Sequence, residues 1–285
     1  MTEPAIAPPL ITGLYVPGDR PGRFDKAVAT GAQLVILDLE DAVSDDHKDL
    51  ARDAVLNWLT ERGDTRGSPV IQVRVNAGSS RDLAALAGVK VAFELRVPKV
   101  ETLAYLDAIA HAVPGRSITA LLETARGVEN AALIAGHPGV TLLALGESDL
   151  ASDLGTYDQE AMDYARVRVL FAARAAGLPA PMLSAFPNIQ DLDGLRADSE
   201  RGRRLGWVGR TAIHPSQLAV ITEVFRPSAA ECNWAREVLA ATSGGGVATL
   251  ANGEMVDVAM VGRARSILAL AEALQRHTQH DQHYS

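Results

Sequence analysis

The chain has a single cysteine, Cys232, among 285 residues. That excludes an intrachain disulfide and any metal centre built on several thiolates. Cys232 falls in a helical stretch beside Asn233 and Trp234, where a packed, inert thiol is expected. No apolar run reaches the 18 or so residues of a membrane span, and the opening Met-Thr-Glu-Pro-Ala-Ile-Ala-Pro-Pro-Leu lacks the basic start of a signal peptide. The expectation is a cytoplasmic protein without a membrane partner. Positive charge is also short: the formal net charge is -8. An acidic chain is a poor match for nucleic acid, which needs a positive face. A phosphorylated small ligand, however, needs only a local basic patch. Lysine is especially scarce, at Lys26, Lys48, Lys90 and Lys99. No Gly-x-Gly-x-x-Gly follows the first predicted strand, which argues against a dinucleotide-binding sheet.

What the chain does have is alternation. Short apolar runs at Leu14 to Val16, Leu34 to Leu39, Val70 to Val75, Phe93 to Val97, Ile118 to Leu122, Thr141 to Leu145, Pro181 to Ser184 and Arg210 to Ile213 predict eight strands. Helical spacing separates them, as in Leu50/Ala51, Ala54/Val55 and Trp58/Leu59, or Met162, Ala165, Val169, Ala172/Ala173 and Ala176. These stripes are core faces. Eight strand-helix units predict an α/β protein of the closed (β/α)₈ TIM-barrel type over residues 13–227, with an open doubly wound sheet as the alternative. Residues 1–12 read as an N-terminal tail. Residues 228–276 read as a C-terminal helix-hairpin-helix extension, with Asn252-Gly253 at a type I′ turn. Residues 277–285 read as a tail, whose His277, His280 and His283 carry little expectation of metal binding.

Barrel enzymes place their chemistry at the carboxyl ends of the strands. The second strand, Leu34-Val-Ile-Leu, ends in Asp38, Glu40 and Asp41. Carboxylates crowded at one strand tip call for a metal ion, an arginine or a charged ligand opposite, unless they form a solvated loop that caps the next helix. Arg74 ends the third strand and either pairs with that cluster or clamps a substrate carboxylate in bidentate fashion, two compatible roles. Glu123 and Asp149 follow the fifth and sixth strands. Neighbouring strands lie about 4.8 Å apart, so the two acids can share one hard cation such as Mg²⁺ (or Mn²⁺), with open positions left for water and substrate oxygens. The alternative for each is a helix cap or a salt bridge to Arg126 or Arg168. Lys99 raises Schiff-base chemistry of a metal-free aldolase, against a supporting salt bridge as its other reading.

These residues carry a family resemblance. Leu14-Tyr-Val-Pro-Gly-Asp-Arg-Pro, Val35-Ile-Leu-Asp-Leu-Glu-Asp-Ala-Val with Lys48 and Ala51-Arg52, Arg74-Val-Asn, Pro98-Lys-Val, Leu122-Glu-Thr-Ala-Arg-Gly, Gly146-Glu-Ser-Asp-Leu and Ala212-Ile-His-Pro-Ser-Gln occur in order between about residues 13 and 270. The chain thereby resembles the HpcH/HpaI aldolase and citrate lyase β-subunit family, more closely its stand-alone citrate-lyase-β-like and malyl-CoA lyase branch. The resemblance implies a TIM barrel and a Mg²⁺-dependent carbon-carbon lyase acting reversibly on an acyl thioester. It also implies a homotrimer. Residue by residue, it implies Glu123 and Asp149 as metal ligands and Arg74, with Glu123, against the substrate. Tyr15, Arg20 and Lys26 would lie by the CoA thioester. Asp257, in Gly253-Glu-Met-Val-Asp-Val, would be an acid/base residue on a lid lent to a neighbouring subunit. Asp38, Glu40 and Asp41 are then left to hold metal-bound water and orient Arg74. The expected substrate is a 3-hydroxyacyl-CoA such as malyl-, citramalyl- or 3-hydroxy-3-methylglutaryl-CoA, giving acetyl-CoA or a related acyl-CoA and an oxo acid. A metal-dependent 2-oxoacid aldolase without a thioester, or a citrate lyase β subunit served by an acyl carrier protein, are the alternatives. Two positions depart from the family pattern: Leu183-Ser-Ala-Phe-Pro lacks an acidic residue at the seventh strand end, and Arg210 stands where a lysine is common.

Overall fold

The structure, a computed structural model, describes residues 10–63 and 69–281, with side chains to Leu274. Most of the predicted tail before residue 10, His283, and the side chains of His277 and His280 lie outside the described residues. The chain divides into two compact units, Leu10–Val224 and a second from Phe225 onward.

The first unit is built on a parallel sheet of seven strands: β1 (Thr12–Pro17), β2 (Leu34–Asp38), β3 (Val70–Arg74), β4 (Glu94–Val97), β5 (Ile118–Leu122), β6 (Val140–Leu145) and β7 (Arg210–Ala212). Their order is β6-β5-β4-β3-β2-β1-β7. All five residues of β2 are buried, as are all five of β5. That matches their unbroken apolar runs, because a strand covered on both faces has no polar alternation to show. The helices present the stripes read from the sequence. Ala51, Val55 and Leu59 of the helix Lys48–Arg62 are buried, while Leu50 is exposed. Met162, Ala165, Val169, Ala172 and Ala173 are buried on the helix Gln159–Ala175, and Ala176, at its end, is exposed.

The seventh of the eight expected strands, Pro181 to Ser184, is not formed as a strand. Residues 181 to 184 contribute a single parallel bridge, Leu183 to Arg210. Leu183 N–H donates to the Gly209 carbonyl at 2.8 Å and Thr211 N–H to the Leu183 carbonyl at 3.0 Å. Pro179, Pro181 and Pro187 crowd this segment and remove the donors a longer ladder needs. The architecture is therefore a curled seven-stranded parallel sheet, without a described hydrogen-bonded closure between β6 and residue 183. The curl is evident because Leu145, at the end of β6, and Thr211, on β7 at the other edge, line the same cavity.

Register places the site. Pro17 is level with Asp38, Asp38 with Arg74, and Arg74 with Arg96. Residues paired in a parallel sheet point to the same side, so the carboxyl ends of β2, β3 and β4 deliver one acid and two arginines into one layer.

In the second unit, Ser228 and Glu231 form a capping box on the helix Ala229–Ala241. An antiparallel pair, β8 (Ala248–Thr249) and β9 (Met255–Val256), leads into the long helix Val258–Asp281, whose backbone runs past residue 277. Ala235, Val238, Leu250, Val256 and Ala264 make its core. The hairpin turn differs from the expected type I′. Gly253 N–H bonds the Leu250 carbonyl and Leu250 N–H the Glu254 carbonyl, and of the turn residues only Gly253 has positive φ, at 88°. Three residues, Ala251, Asn252 and Gly253, close the loop, and this length selects a type I turn with a glycine bulge.

Gly209, just before β7, is held against the backbone of Ile11: a Cβ there would sit 2.5 Å from Ile11 Cα. Gly209→Ala should lower the unfolding free energy by about 2 kcal/mol or more through forced separation of β7 from β1. Gly22, where a Cβ would meet nothing within 4 Å, serves as the control, and Gly22→Ala should stay within about 0.5 kcal/mol of wild type. Urea unfolding measures both, and equal effects at the two positions would refute the account.

Candidate functional site

A cavity of about 340 Å³ opens at the carboxyl ends of the strands, lined among others by Tyr15, Asp38, Asp41, Arg74, Arg96, Glu123 and Asp149. Arg74 is its most constrained side chain. Its Nε and Nη2 grip Asp38 in bidentate fashion at 2.7 and 2.5 Å, while Nη1 lies 3.0 Å from both Asp41 and Glu40. Burial pulls the Arg74 guanidinium down, but its hydrogen bonds and charge pairing with Asp38 outweigh that and leave it above its ordinary value. The Arg74 guanidinium also stacks 5.0 Å over the Tyr15 ring. Burial raises the Tyr15 hydroxyl, against the opposing pull of Arg96 and Arg74.

The loop carrying the acids is fixed locally. Asp38 accepts the N–H groups of Glu40 and Ala42, and Lys48 ties down the carbonyls of Leu39 and Glu40 at 3.0 and 2.6 Å. The lysine nine residues on from Leu39 thus clamps the loop from the start of the following helix. Gly18 allows the approach: its N–H bonds the Asp38 carbonyl at 2.8 Å, and a Cβ would meet that oxygen at 2.7 Å.

Glu123 and Asp149 come from the end of β5 and from the first turn of the helix Glu147–Leu154. Glu123 is buried and accepts the Lys99 N–H at 3.1 Å. To aim that N–H, Lys99 takes a left-handed φ of 54°, a conformation that costs on the order of 1 kcal/mol for a residue with a side chain. Gly146 makes room for Glu123, since a Cβ at Gly146 would meet the Glu123 Cγ at 2.4 Å. Lys99 Nζ stands 4.0 Å from Asp149 Oδ1, the supporting ion pair of the two roles considered for it. Neither Glu123 nor Asp149 is paired with Arg126 or Arg168, which bond Glu101 and Glu129 instead.

The charges here do not balance. Asp38, Glu40, Asp41, Glu123 and Asp149 face Arg74, Arg96 and Lys99, a surplus of two negative charges if all are ionised. Burial, then the Arg74-opposed repulsion of Asp41 and Asp38, pushes Glu40 up to about 7. Burial, with repulsion from Glu40 and Asp149, pushes Glu123 up to about 8. Glu40 Oε2 has no hydrogen-bond partner although Arg74 is near. A divalent cation held by Glu123 and Asp149 would offset the surplus, and two carboxylates with open positions is how Mg²⁺ is commonly held. Among the described residues no three such ligands converge, so water and a ligand would complete its shell.

The other acid of this strand end is already committed. Glu147 receives Arg166 Nε and Nη2 at 2.5 and 2.9 Å, Arg166 also grips Asp198 at 3.0 Å, and Asp198 pairs with Arg210. Arg210, at the departure from the family pattern, thus completes a buried ion-pair chain. Arg20 and Lys26 lie on exposed surface after β1 and do not line the cavity. Asp257 belongs to the second unit, directly before its long helix, where it accepts the Ala259 N–H at 2.9 Å. Sequence reading passed over Arg96 and Arg166. The signal for Arg96 was a charge in register with Arg74 inside Leu95-Arg-Val, while Arg166 is a charge on the apolar stripe of its helix.

Comparison with known proteins now decides the family. The family model of HpcH/HpaI aldolase/citrate lyase matches residues 11–215. The chain belongs to this family. It is 39% identical over 280 residues to a (3S)-malyl-CoA thioesterase of Cereibacter sphaeroides, spanning 94% of this chain and 96% of the relative. It is 35% identical over 270 residues to a citrate lyase subunit beta-like protein of Mycobacterium tuberculosis, spanning 90% and 94%. The crystal structure of the M. tuberculosis protein CitE in complex with magnesium, acetoacetate and coenzyme A superposes with a TM-score of 0.77 at 33% identity, over 94% of this chain and 99% of that one. As a member of the HpcH/HpaI aldolase/citrate lyase family, the chain is an enzyme of a carbon-carbon lyase family. Among the described residues no helix is long and apolar enough to cross a membrane.

The surplus acid predicts an inverted pH dependence for the metal-free chain. Folded Glu123 holds its proton up to a pH of about 8, whereas the unfolded chain releases it near 4.5, so the folded state binds more protons in between and loses stability as pH rises through that window. In EDTA, the unfolding free energy should fall by about 2 kcal/mol or more between pH 5.5 and 8.5. Glu123→Gln should remove most of that slope. Urea titrations check this, and an equal slope in wild type and variant would overturn it.

Proposed function

We propose that this protein is a Mg²⁺-dependent lyase, with Mn²⁺ as a substitute. It reversibly cleaves a 3-hydroxyacyl-CoA of the malyl, citramalyl or 3-hydroxy-3-methylglutaryl type into acetyl-CoA or a related acyl-CoA and a small oxo acid. The observation that carries this reading is the pair Glu123 and Asp149 at a cavity whose acids outnumber its cations, with Glu123 pushed up to about 8 by burial and by repulsion from Glu40 and Asp149. It is supported by the M. tuberculosis relative crystallised with magnesium, acetoacetate and coenzyme A, and by 30% identity over 303 residues to an L-malyl-CoA/beta-methylmalyl-CoA lyase of C. sphaeroides. On this reading the curled sheet works as a (β/α)₈ barrel whose seventh strand is the short segment at Leu183. The second unit acts as a lid in a cytoplasmic homotrimer.

Glu123 and Asp149 would hold the ion. Bound there, Mg²⁺ supplies Lewis-acid polarisation of oxygens on the hydroxy acid. Arg74, oriented by Asp38, sets its guanidinium against the substrate where charge develops as the carbon-carbon bond breaks. Tyr15 gives the apolar wall beneath the acyl group, and Arg20 with Lys26 the local positive charge for CoA phosphates. On cleavage the hydroxyl gives up its proton to solvent as it becomes the oxo group, and the electron pair of the broken bond passes to the thioester α-carbon. Protonated Asp257 of a neighbouring copy supplies a proton there; in the condensation direction Asp257 takes one back.

A second reading is hydrolysis of the same thioester, favoured by the 39% identity to a malyl-CoA thioesterase. The products separate the two: cleavage yields an oxo acid that reacts with phenylhydrazine, hydrolysis yields a free hydroxy acid.

With malyl-CoA and its homologues in Mg²⁺, wild type should release an oxo acid, and Glu123→Gln or Asp149→Asn should lower kcat/KM at least about 10³-fold. Asp257→Ala should fold and lose about 10²-fold or more in kcat. Mixing the inactive Asp257→Ala and Glu123→Gln chains should restore part of the activity, because one mixed site then contains both intact residues. Failure of a mixture to recover activity, with subunit exchange verified, would rule out a lid lent between copies.

A further inference from the structure

One cation of the cavity is not claimed by any acid. Arg96 is 3% exposed and lines the cavity. Its Nη1 makes a long 3.4 Å hydrogen bond to Gln72 Oε1, and its guanidinium lies 5.4 Å from the Tyr15 ring centroid. Its Nε is buried without a hydrogen-bond partner, and among the described residues it forms no ion pair. Arg74, one strand away and level with it, is consumed by three carboxylates, and Arg166 and Arg210 are held by Glu147 and Asp198. A buried guanidinium lacking an anion is costly, since its desolvation is not offset by charge pairing.

We propose that Arg96 is a specificity-determining residue that receives the carboxylate of the small oxo acid. The assignment builds on the reading above and moves the carboxylate-binding role from Arg74 to its neighbour. Three features fit it. The free Nε is part of a planar fork that matches a carboxylate. The position is fixed from below, because Gln72 is itself held: its amide donates to Glu94 at 2.9 Å and to Thr119 at 2.8 Å. Both guanidinium carbons lie over the Tyr15 ring, at 5.0 and 5.4 Å from its centroid, and of the two it is Arg74 that the Asp38 cluster holds. The enzyme would then select for acids whose carboxylate reaches Arg96 while the neighbouring oxygen reaches the Glu123 and Asp149 end of the same cavity.

The test uses oxalate, a planar carboxylate probe, titrated calorimetrically into the full-length protein in Mg²⁺, followed by condensation kinetics with glyoxylate or pyruvate and acetyl-CoA. Arg96→Gln should weaken oxalate binding at least about tenfold, the loss expected of a charge-assisted contact. Arg96→Lys, which keeps the charge and guards against a misfolded glutamine variant, should raise KM for the oxo acid at least about fivefold. Its KM for acetyl-CoA should stay within about twofold of wild type, because a point charge cannot replace the fork. Unchanged oxalate affinity in folded Arg96→Gln, or parallel changes in both KM values for Arg96→Lys, would overturn the assignment. If wild type is inactive on every CoA ester yet binds oxalate through Arg96, the assignment stands and the CoA-lyase reading falls.

Discussion

Arg74 and Asp38 meet in a bidentate pair of 2.7 and 2.5 Å at the centre of the strand ends, and the rest of the site is arranged around the charge problem this pair only half solves. One guanidinium faces Asp38, Glu40 and Asp41 together. Register makes the pairing unavoidable, since Asp38 and Arg74 are opposite residues on adjacent parallel strands. The loop after β2 cannot relax to separate its acids, because Lys48 holds two of its carbonyls and Gly18 lets β1 close on the Asp38 carbonyl. Rigidity here keeps repulsion in place that a mobile loop would dissipate into solvent. Binding sites store such preorganised charge because a ligand that neutralises it gains the relief as affinity.

Which carboxylates remain open to a ligand is decided by a second set of pairs. Glu147 and Asp149 sit two residues apart at one helix start, yet Glu147 is gripped by Arg166 at 2.5 and 2.9 Å, whereas Asp149 has only Lys99 Nζ at 4.0 Å. The chain Glu147, Arg166, Asp198, Arg210 carries as much positive as negative charge, and so it can be buried without a ligand. The set facing the cavity cannot. Arg210, whose side chain ends this ion-pair chain, belongs to the short β7, and the backbone on either side of it, at Gly209 and Thr211, bonds Leu183 at that edge of the sheet.

The elements with strong local signals were legible in the sequence. Continuous apolar runs located seven strands to within about two residues, because a doubly covered strand has no other way to be written. The run at Pro181 failed for a reason also visible in the sequence, its three prolines, which apolarity alone outweighed in the reading. At the site, strand-end acids and Arg74 could be placed because parallel α/β folds gather strand ends on one side. The pairing of Arg74 with the Asp38, Glu40 and Asp41 cluster was legible from their places on neighbouring strand ends, but the surroundings of Glu147 and Arg96 were not. That Glu147 is neutralised depends on Arg166, nineteen residues away on another helix, and that Arg96 is left without an acid depends on who its neighbours are in space. The Asn252-Gly253 turn was misread by one residue of loop length, a difference that hairpin register decides and local composition does not.

The commitments of the cavity acids decide where proton transfer must come from. Asp38 is saturated by Arg74 and two backbone N–H groups. Glu147 is taken by Arg166. Glu123 and Asp149 are the pair suited to the cation, and a carboxylate bound to a divalent ion is a weak base. Glu40 is buried beside Arg74, and Asp41 shares the same guanidinium. Asp38, Glu147, Glu123 and Asp149 thus each have a structural or ligand-holding role, while Glu40 and Asp41 stand against the Arg74 guanidinium. On the proposed reading, the group that moves a proton at the α-carbon comes from outside this set. Asp257 is the residue proposed for such a transfer: among the described residues one of its oxygens accepts the Ala259 N–H, and it sits on a compact unit with its own core. On the proposed reading, such a unit would be presented to a neighbouring copy's site as a whole, with the cavity keeping its charge fixed and Asp257 bringing the acid.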